Sequence, residues 1–126
     1  MKQKKFYKVT PFIPVRNLRQ TLDYYKNKLG FDKEWVMNKD GGIQRDEMRL
    51  LFGENPDHLQ LINSDKHKFE LVWFVDCVDD IYNEYLAKEI EVLTTPTDEP
   101  WGIREFTIKD INGYLIRISE TTQSKK

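Results

Sequence analysis

The sequence has little of what several classes of protein depend on. It contains one cysteine, Cys77, which excludes an intrachain disulfide. Because Cys77 follows an apolar run and precedes a predicted helix, we expect a small buried residue there rather than a nucleophile. No apolar stretch has the length of a transmembrane span or the pattern of a signal peptide, so the expected location is the cytoplasm. Lys and Arg number 20 against 21 Asp and Glu, and a net charge of −1 gives no field that would recruit nucleic acid or an anionic membrane.

Signatures of catalysis are also scarce. The two histidines, His58 and His67, fall in one predicted loop without the helical or hairpin spacing that would bring both to one metal ion. No nucleophile has a base beside it at a recognisable spacing. The Gly-rich stretch at residues 40–42 lacks both the length and the lysine of a phosphate loop. The sequence therefore favours a binding function over covalent catalysis.

The most informative feature that is present is an internal repeat. Residues 15–18 (VRNL) are echoed 60 positions later by residues 75–78 (VDCV), and a helix-like run follows each copy. At the same offset, residues 42–45 (GIQR) are answered by residues 102–105 (GIRE). Two copies in 126 residues are too few for a solenoid. They indicate a paired module with a cleft between its halves.

Each half of the chain predicts the order β-α-β-β-β. In the first half the predicted elements are a strand over 7–15, a helix from the N-cap Asn17 to the stop at Gly30, a strand over 31–38, a hairpin turn at 40–42 and strands over 43–45 and 48–52. In the second half they are a strand over 69–75, a helix capped by Asp76 or Asp79 and ending at Ala87, a strand over 92–95, a loop over 97–100, a strand over 104–109, a turn at 110–113 and a strand over 114–118. We expect a single domain, with module one at about 7–54, an inter-module loop at about 55–68 and module two at about 69–120.

Three stretches carry a resemblance to a known family. They are residues 14–18 (PVRNL), residues 24–31 with Tyr24-Tyr25 and Leu29-Gly30-Phe31, and residues 100–106 (PWGIREF) leading to 110–113 (DING). In these the chain resembles the vicinal oxygen chelate superfamily, and more closely its glyoxalase/bleomycin-resistance-like members. The resemblance runs from about Tyr7 to Glu120. It implies an α+β fold in which two repeated β-α-β-β-β modules form a curved mixed sheet cup, often completed in a homodimer.

The resemblance also implies where a metal would bind. Metal-dependent members of the superfamily hold it at equivalent positions of the two modules, which fall here on Thr10, Glu70, Arg117 and either Arg49 or Leu51. Only Glu70 could be a ligand, and Arg117, always a cation, would repel a divalent metal. We therefore expect no cofactor, with a divalent metal as the alternative.

Strand alternation predicts a polar pair in place of that metal. Arg117 shares a face with Leu115 and Ser119, and Glu70 points to the same side with Val72. Glu70 and Arg117 would then form an ion pair or a polar clamp for a ligand; a structural salt bridge or two separately solvated side chains is the alternative. The candidate ligand-binding residues are Glu70, Arg117, Trp101, Arg49, Trp35 and Phe52.

Other aromatic and basic residues fit a structural role as well as a binding role. Trp73 and Phe106 are expected in the core, whereas Trp101, at a loop edge, fits pocket and core equally. Arg104 is expected in a surface salt bridge, with contact to an anion as the alternative.

Three functions are compatible with these features. The first is a metal-free protein resembling bleomycin-resistance proteins, a homodimer that binds and sequesters a small organic molecule. The second is a metal-dependent lyase or dioxygenase of the glyoxalase superfamily. The third is an enzyme without metal, in which Glu70 acts as base on a carbonyl substrate held by Arg117. Bleomycin itself is disfavoured as the ligand because a cationic drug is bound best by an acidic protein, and this chain is nearly neutral.

Overall fold

The computed structural model describes residues 5–122, which belong to two compact units, the first ending at Pro56 and the second beginning at Asp57. The elements of the first unit are β1 (Phe12–Val15), α1 (Leu18–Asn27), β2 (Lys33–Met37), β3 (Asp40–Arg45) and β4 (Met48–Glu54). Helix α2 (Pro56–Ile62) follows at the boundary. The elements of the second unit are β5 (Glu70–Phe74), α3 (Val78–Ala87), β6 (Glu91–Val92), β7 (Thr97–Glu99), β8 (Ile103–Lys109) and β9 (Leu115–Thr121). Within residues 5–122, no helix has the length and apolar character that crossing a bilayer requires.

The two units have the same sheet topology. The strand order is β1-β4-β3-β2 in the first and β5-β9-β8-β6 in the second, where β7 also pairs with β8. In each sheet the first strand runs parallel to the last, and the remaining pairs are antiparallel. The fold is α+β with two β-α-β-β-β units, the second of which has the additional short strand β7, and this confirms the predicted fold class.

A glutamate at or near the end of the last strand caps the helix of each unit. The Glu54 carboxylate accepts a hydrogen bond from the backbone N–H of Leu18, and the Glu120 carboxylate accepts one from that of Val78, both at 2.9 Å. These N–H groups belong to the first residue of each helix, which has no partner within the helix. The negative charge also complements the positive end of the helix dipole. Glu54 and Glu120 are therefore equivalent positions of the repeat.

The strand register corrects part of the sequence repeat. Leu51 and Arg117 each lie three residues before the equivalent glutamates, and they pair with Gly42 and Thr107, respectively. Gly42 thus corresponds to Thr107. The match of residues 42–45 with residues 102–105 at a constant offset is wrong, because the second unit holds β7 and a longer connection before β8.

The helix caps agree with the sequence-based predictions in α1 and differ from them in α3. The Asn17 side chain accepts from the Gln20 N–H at 2.9 Å, and Gly30 takes the positive φ of 84° expected after the helix, so both predictions are confirmed. The N-cap of α3 is Cys77, whose side chain makes no capping bond. The prediction of Asp76 or Asp79 as the cap is wrong, because the distant Glu120 fills that role. Cys77 is exposed, which contradicts its expected burial.

The first hairpin turn lies before the glycines rather than on them. Met37 pairs with Asp40, so the turn is Asn38-Lys39, and Asn38 has a φ of 61°. The two glycines at 41 and 42 lie inside β3. A Cβ at Gly42 would stand 2.1 Å from the Trp35 ring, so this glycine is required for close packing rather than for a turn.

Three other boundaries differ from the predictions. The strand expected over residues 7–15 begins only at Phe12, directly after Pro11, which lacks an N–H donor. The predicted loop over residues 55–68 contains α2, which has Pro56 at its first position, where proline is favoured. The predicted loop over 97–100 contains β7, which is stabilised by pairing with β8.

In each unit the helix covers one face of its own sheet. The first unit buries Ile13, Val15, Leu22, Tyr25, Ile43, Leu50 and Phe52, and the second buries Trp73, Val78, Tyr85, Phe106, Ile108, Ile116 and Ile118. Burying such a side chain contributes about 1.5–3 kcal/mol. Residues that alternate with these along the strands lie on the opposite face of each sheet, which the unit's own helix leaves uncovered.

Candidate functional site

Arg117 lies in the middle of the uncovered face of the second unit. It pairs with Val72 on β5 and with Thr107 on β8, so strands flank it on both sides. Its neighbours along β9, Ile116 and Ile118, are fully buried on the helix-covered face. The predicted alternation is therefore confirmed for this strand.

The Arg117 guanidinium lies between two carboxylates. Its Nη1 is 3.4 Å from Glu70 Oε1, and its Nη2 is 3.3 Å from Glu105 Oε1. Ser119 Oγ donates a shorter hydrogen bond, of 2.9 Å, to Glu105 Oε1. The nearby negative charge of Glu105, followed by hydrogen bonds to Glu70 and Glu105, raises the pKa of Arg117 above its usual value against the effect of burial. We call these four residues, Glu70, Glu105, Arg117 and Ser119, the polar cluster.

The two carboxylates of the polar cluster differ in accessibility. The side chain of Glu70 is 47% exposed, whereas that of Glu105 is 12% exposed and is held by Ser119 as well. The Arg117 contacts of 3.3–3.4 Å are at the long end of the hydrogen-bond range. Arg117 is thus oriented by Glu105 without all five of its N–H donors being engaged at full strength. The predicted ion pair of Glu70 and Arg117 is present.

Sequence reasoning missed Glu105 as a member of this cluster. The sequence does show which face of β8 Glu105 occupies, since Glu105 and Thr107 alternate with the apolar Phe106 and Ile108. What the sequence did not contain was the register that sets Glu105 opposite Ser119 and next to Arg117 on β9.

The residues at the family's metal positions do not fit a divalent cation. The strand register assigns Leu51, not Arg49, as the counterpart of Arg117, so the four positions hold Thr10, Leu51, Glu70 and Arg117. Only Glu70 has a carboxylate, and that carboxylate is already paired with a permanent cation. Across residues 5–122, no three His, Cys, Asp or Glu residues, with His58 and His67 included, form a group that could hold a metal ion. A catalytic metal needs about three such protein ligands.

Two of the predicted ligand-binding residues meet on the first unit. The Arg49 guanidinium carbon lies 4.4 Å from the centroid of the Trp35 ring, a cation–π contact. Phe52 is fully buried, and its ring packs edge-on against Tyr25 at 5.1 Å. The structure places Phe52 in the core, on the opposite face from Arg49, which corrects its assignment to the ligand-binding set.

The remaining aromatic and basic candidates lie partly in the core and partly at the surface. Trp73 and Phe106 are core residues, as predicted. Trp101 is 59% exposed in the turn that leads into β8, so it is not a core residue. Arg104 forms salt bridges with Asp79 at 3.0 Å and Asp98 at 3.2 Å, which confirms its expected structural role, and these partners raise its pKa.

Comparison with known proteins agrees with this architecture. The bleomycin resistance determinant encoded on transposon Tn5 shares 21% identity over 92% of this chain and 98% of that chain, with a TM-score of 0.78. The bleomycin-binding protein from Streptomyces verticillus, solved with copper(II)-bleomycin, shares 20% identity over 92% of this chain and 97% of that chain, with a TM-score of 0.73. A member of the glyoxalase/bleomycin resistance protein/dioxygenase superfamily from Sphaerobacter thermophilus shares 20% identity over 91% of this chain and 97% of that chain, with a TM-score of 0.71. At these identities the likeness establishes the fold alone.

Sequence comparison identifies the family. A search of curated protein sequences found no significant match. The model of one protein family does match, over residues 8–118 of the 126 in the chain. The chain belongs to the Glyoxalase/Bleomycin resistance protein/Dioxygenase superfamily.

Proposed function

We propose that the protein binds a small organic molecule at the polar cluster without the help of a metal, and that it sequesters this molecule in the cytoplasm. The observation that carries the proposal is the position of Arg117. It is a cation fixed between two carboxylates in the middle of a sheet face that its own helix leaves uncovered. A permanent cation at this position takes the place of a metal ligand and supplies directed N–H donors instead.

The surroundings of the cluster supply apolar contact area. Val72 pairs with Arg117 and is 43% exposed, and Phe74 pairs with Ser119 and is 59% exposed. Binding sites for small molecules combine such apolar surface with a few directed polar groups. Trp101 is exposed in the same unit, and we retain it as a proposed ligand contact.

The charge of the cluster favours a ligand with hydrogen-bond donors or a cationic group. Two carboxylates face one guanidinium, so the cluster carries a local excess of negative charge. Glu70, the more exposed carboxylate, is the group that such a ligand would meet first. One relative of the same fold was solved with copper(II)-bleomycin, which fits a sequestering role. The chain's net charge of −1 gives little long-range attraction, so discrimination would depend on these local contacts.

A thermal-shift screen of metabolites and drugs tests this proposal. A ligand that binds only the folded protein raises the melting temperature by mass action. We expect at least one amine-bearing or donor-rich aromatic compound to stabilise the wild-type protein by several degrees and the Glu70→Gln variant hardly at all, because Glu70 is the exposed carboxylate that such a ligand meets. Asp79→Asn is the matched control, because it removes a carboxylate that is 52% exposed and engaged in a surface salt bridge with Arg104. Elemental analysis of the untagged protein should find far less than one divalent metal per chain.

Two results would contradict the proposal. One is a ligand whose stabilisation survives Glu70→Gln, since binding would then lie elsewhere. The other is a divalent metal at about one per chain together with strong stabilisation by that ion, which would favour metal-dependent chemistry instead.

We also propose that the protein is a homodimer, as the family resemblance implies. Phe6, Tyr7 and Val9, outside the strands, are 91%, 83% and 90% exposed, and exposed apolar side chains close in sequence support an association site there. We expect sedimentation equilibrium at micromolar concentration to give twice the 15.1 kDa mass of the chain. A single species of monomer mass across the accessible concentration range would exclude the dimer.

A further inference from the structure

The first unit carries a second arrangement of charge and aromatic surface, different from the polar cluster. On the uncovered face of its sheet, Lys33, Gln44 and Arg49 form one cross-strand row. The neighbouring row runs through Trp35, Gly42 and Leu51. A basic row therefore lies directly beside an apolar row. The acidic Glu34 points to the other face, where it binds Arg19 at 2.7 Å and Lys26 at 3.2 Å.

The Trp35 ring packs against the backbone of Gly42 on the neighbouring strand β3. A Cβ at Gly42 would lie 2.1 Å from ring atom Cζ2 and 2.6 Å from Cε2, so the indole rests directly on the glycine backbone. The ring is thus fixed across β3, and it forms a platform for the guanidinium of Arg49 at 4.4 Å. The contact uses the π face of the ring and orients an otherwise flexible side chain.

Arg49 differs from Arg19, Arg104 and Arg117 in having no carboxylate partner among the described residues. Arg19, Arg104 and Arg117 each contact two carboxylates. Within residues 5–122, neither Arg49 nor Lys33 has an acidic group at salt-bridge distance. A guanidinium that contacts a ring keeps its in-plane N–H donors free, and their fork matches a carboxylate in bidentate geometry.

We propose that Arg49, supported by Trp35, anchors a site on the first unit for a small organic anion, namely a carboxylate attached to a planar apolar body. The carboxylate accepts from the Arg49 fork, with the Lys33 ammonium as a second positive charge in the same row. The apolar body lies along the adjacent row, where Leu51 is half-buried and Phe12, its partner on β1, is 61% exposed. This site goes beyond the proposed function, since the polar cluster favours ligands of the opposite charge.

The indole N–H signals of the protein provide a direct readout. The chain has three tryptophans, Trp35, Trp73 and Trp101, whose signals are assigned by single replacement with phenylalanine. We expect naphthalene-2-carboxylate to move the Trp35 signal saturably. Naphthalene-2-methanol and inorganic phosphate at the same concentration should leave it in place, because the first lacks the anion and the second lacks the apolar body.

Substitutions test the role of Arg49. Arg49→Gln should weaken naphthalene-2-carboxylate binding at least tenfold, and Arg49→Lys should fall between it and the wild type, because it keeps the charge and loses the fork. Arg104→Gln is the matched control and should have no effect. Unchanged affinity in Arg49→Gln, a response confined to Trp73 or Trp101, or an equal response to phosphate would each overturn the proposal.

Discussion

Gly42→Ala is expected to lower the free energy of unfolding by about 2 kcal/mol, although it adds a single methyl group. The new Cβ would lie 2.1 Å from the Trp35 ring and 2.6 Å from the Leu50 carbonyl oxygen. Neither neighbour yields easily, because one is a half-buried indole and the other is backbone in the paired strand β4. The indole must leave its position, which also removes the platform under Arg49.

Urea denaturation of matched variants measures this effect. Gly53→Ala is the control: its Cβ would also meet an aromatic ring, 2.8 Å from Phe12 Cζ, but Phe12 is 61% exposed and free to move. We expect Gly53→Ala to change stability by less than about 0.5 kcal/mol. The double variant Gly42→Ala/Trp35→Leu should recover part of the lost stability. Equal costs for the two glycines would show that the ring of Trp35 does not rest on Gly42.

The sequence was sufficient for features set by local pattern. Alternation along 114–118 placed Arg117 on one face and Ile116 and Ile118 on the other, because a strand repeats every two residues whatever its partners are. The Asn17 cap was equally readable, since its side chain bonds an N–H only three residues away. The order of elements, apart from α2 and β7, followed from the same local signals.

Features that depend on contacts distant in sequence could not be predicted. The cap of α3 comes from Glu120, 42 residues after Val78, so the nearer Asp76 and Asp79 were the natural but wrong choices. The glycines of β3 look like a turn in isolation, and only the position of Trp35 on the neighbouring strand shows that Gly42 makes room for a ring.

In the candidate functional site, too, the sequence predicted what depends on local pattern and missed what depends on distant contacts. The pair of Glu70 and Arg117 followed from parity and from the family resemblance. Glu105 did not, since its place beside Arg117 depends on the register of β8 and β9. For the same reason, the sequence left Arg49 and Leu51 as alternatives at one position, and strand pairing with Gly42 selects Leu51.

Arg117→Met is expected to destabilise the protein by about 2 kcal/mol, because it leaves the carboxylate of Glu105 without its cation. That carboxylate is 12% exposed and, among residues 5–122, would keep only the hydrogen bond from Ser119. Replacing Glu105 as well, in Arg117→Met/Glu105→Gln, removes the unpaired charge and should restore much of the loss.

A double-mutant cycle on these two residues should therefore give a coupling free energy of about 1 kcal/mol. The matched cycle combines Arg104→Met with Asp79→Asn. The side chain of Asp79 is 52% exposed in the wild-type protein. The coupling in this matched cycle should be smaller and should vanish in 1 M NaCl, whereas the coupling of Arg117 to Glu105 should persist, since salt screens buried pairs less. Equal couplings with equal salt dependence would mean that Arg117 is an ordinary surface arginine. A larger, salt-resistant coupling would mean that Glu105 holds Arg117 in position before any ligand arrives, so that Glu70 is the member of the polar cluster left to exchange partners.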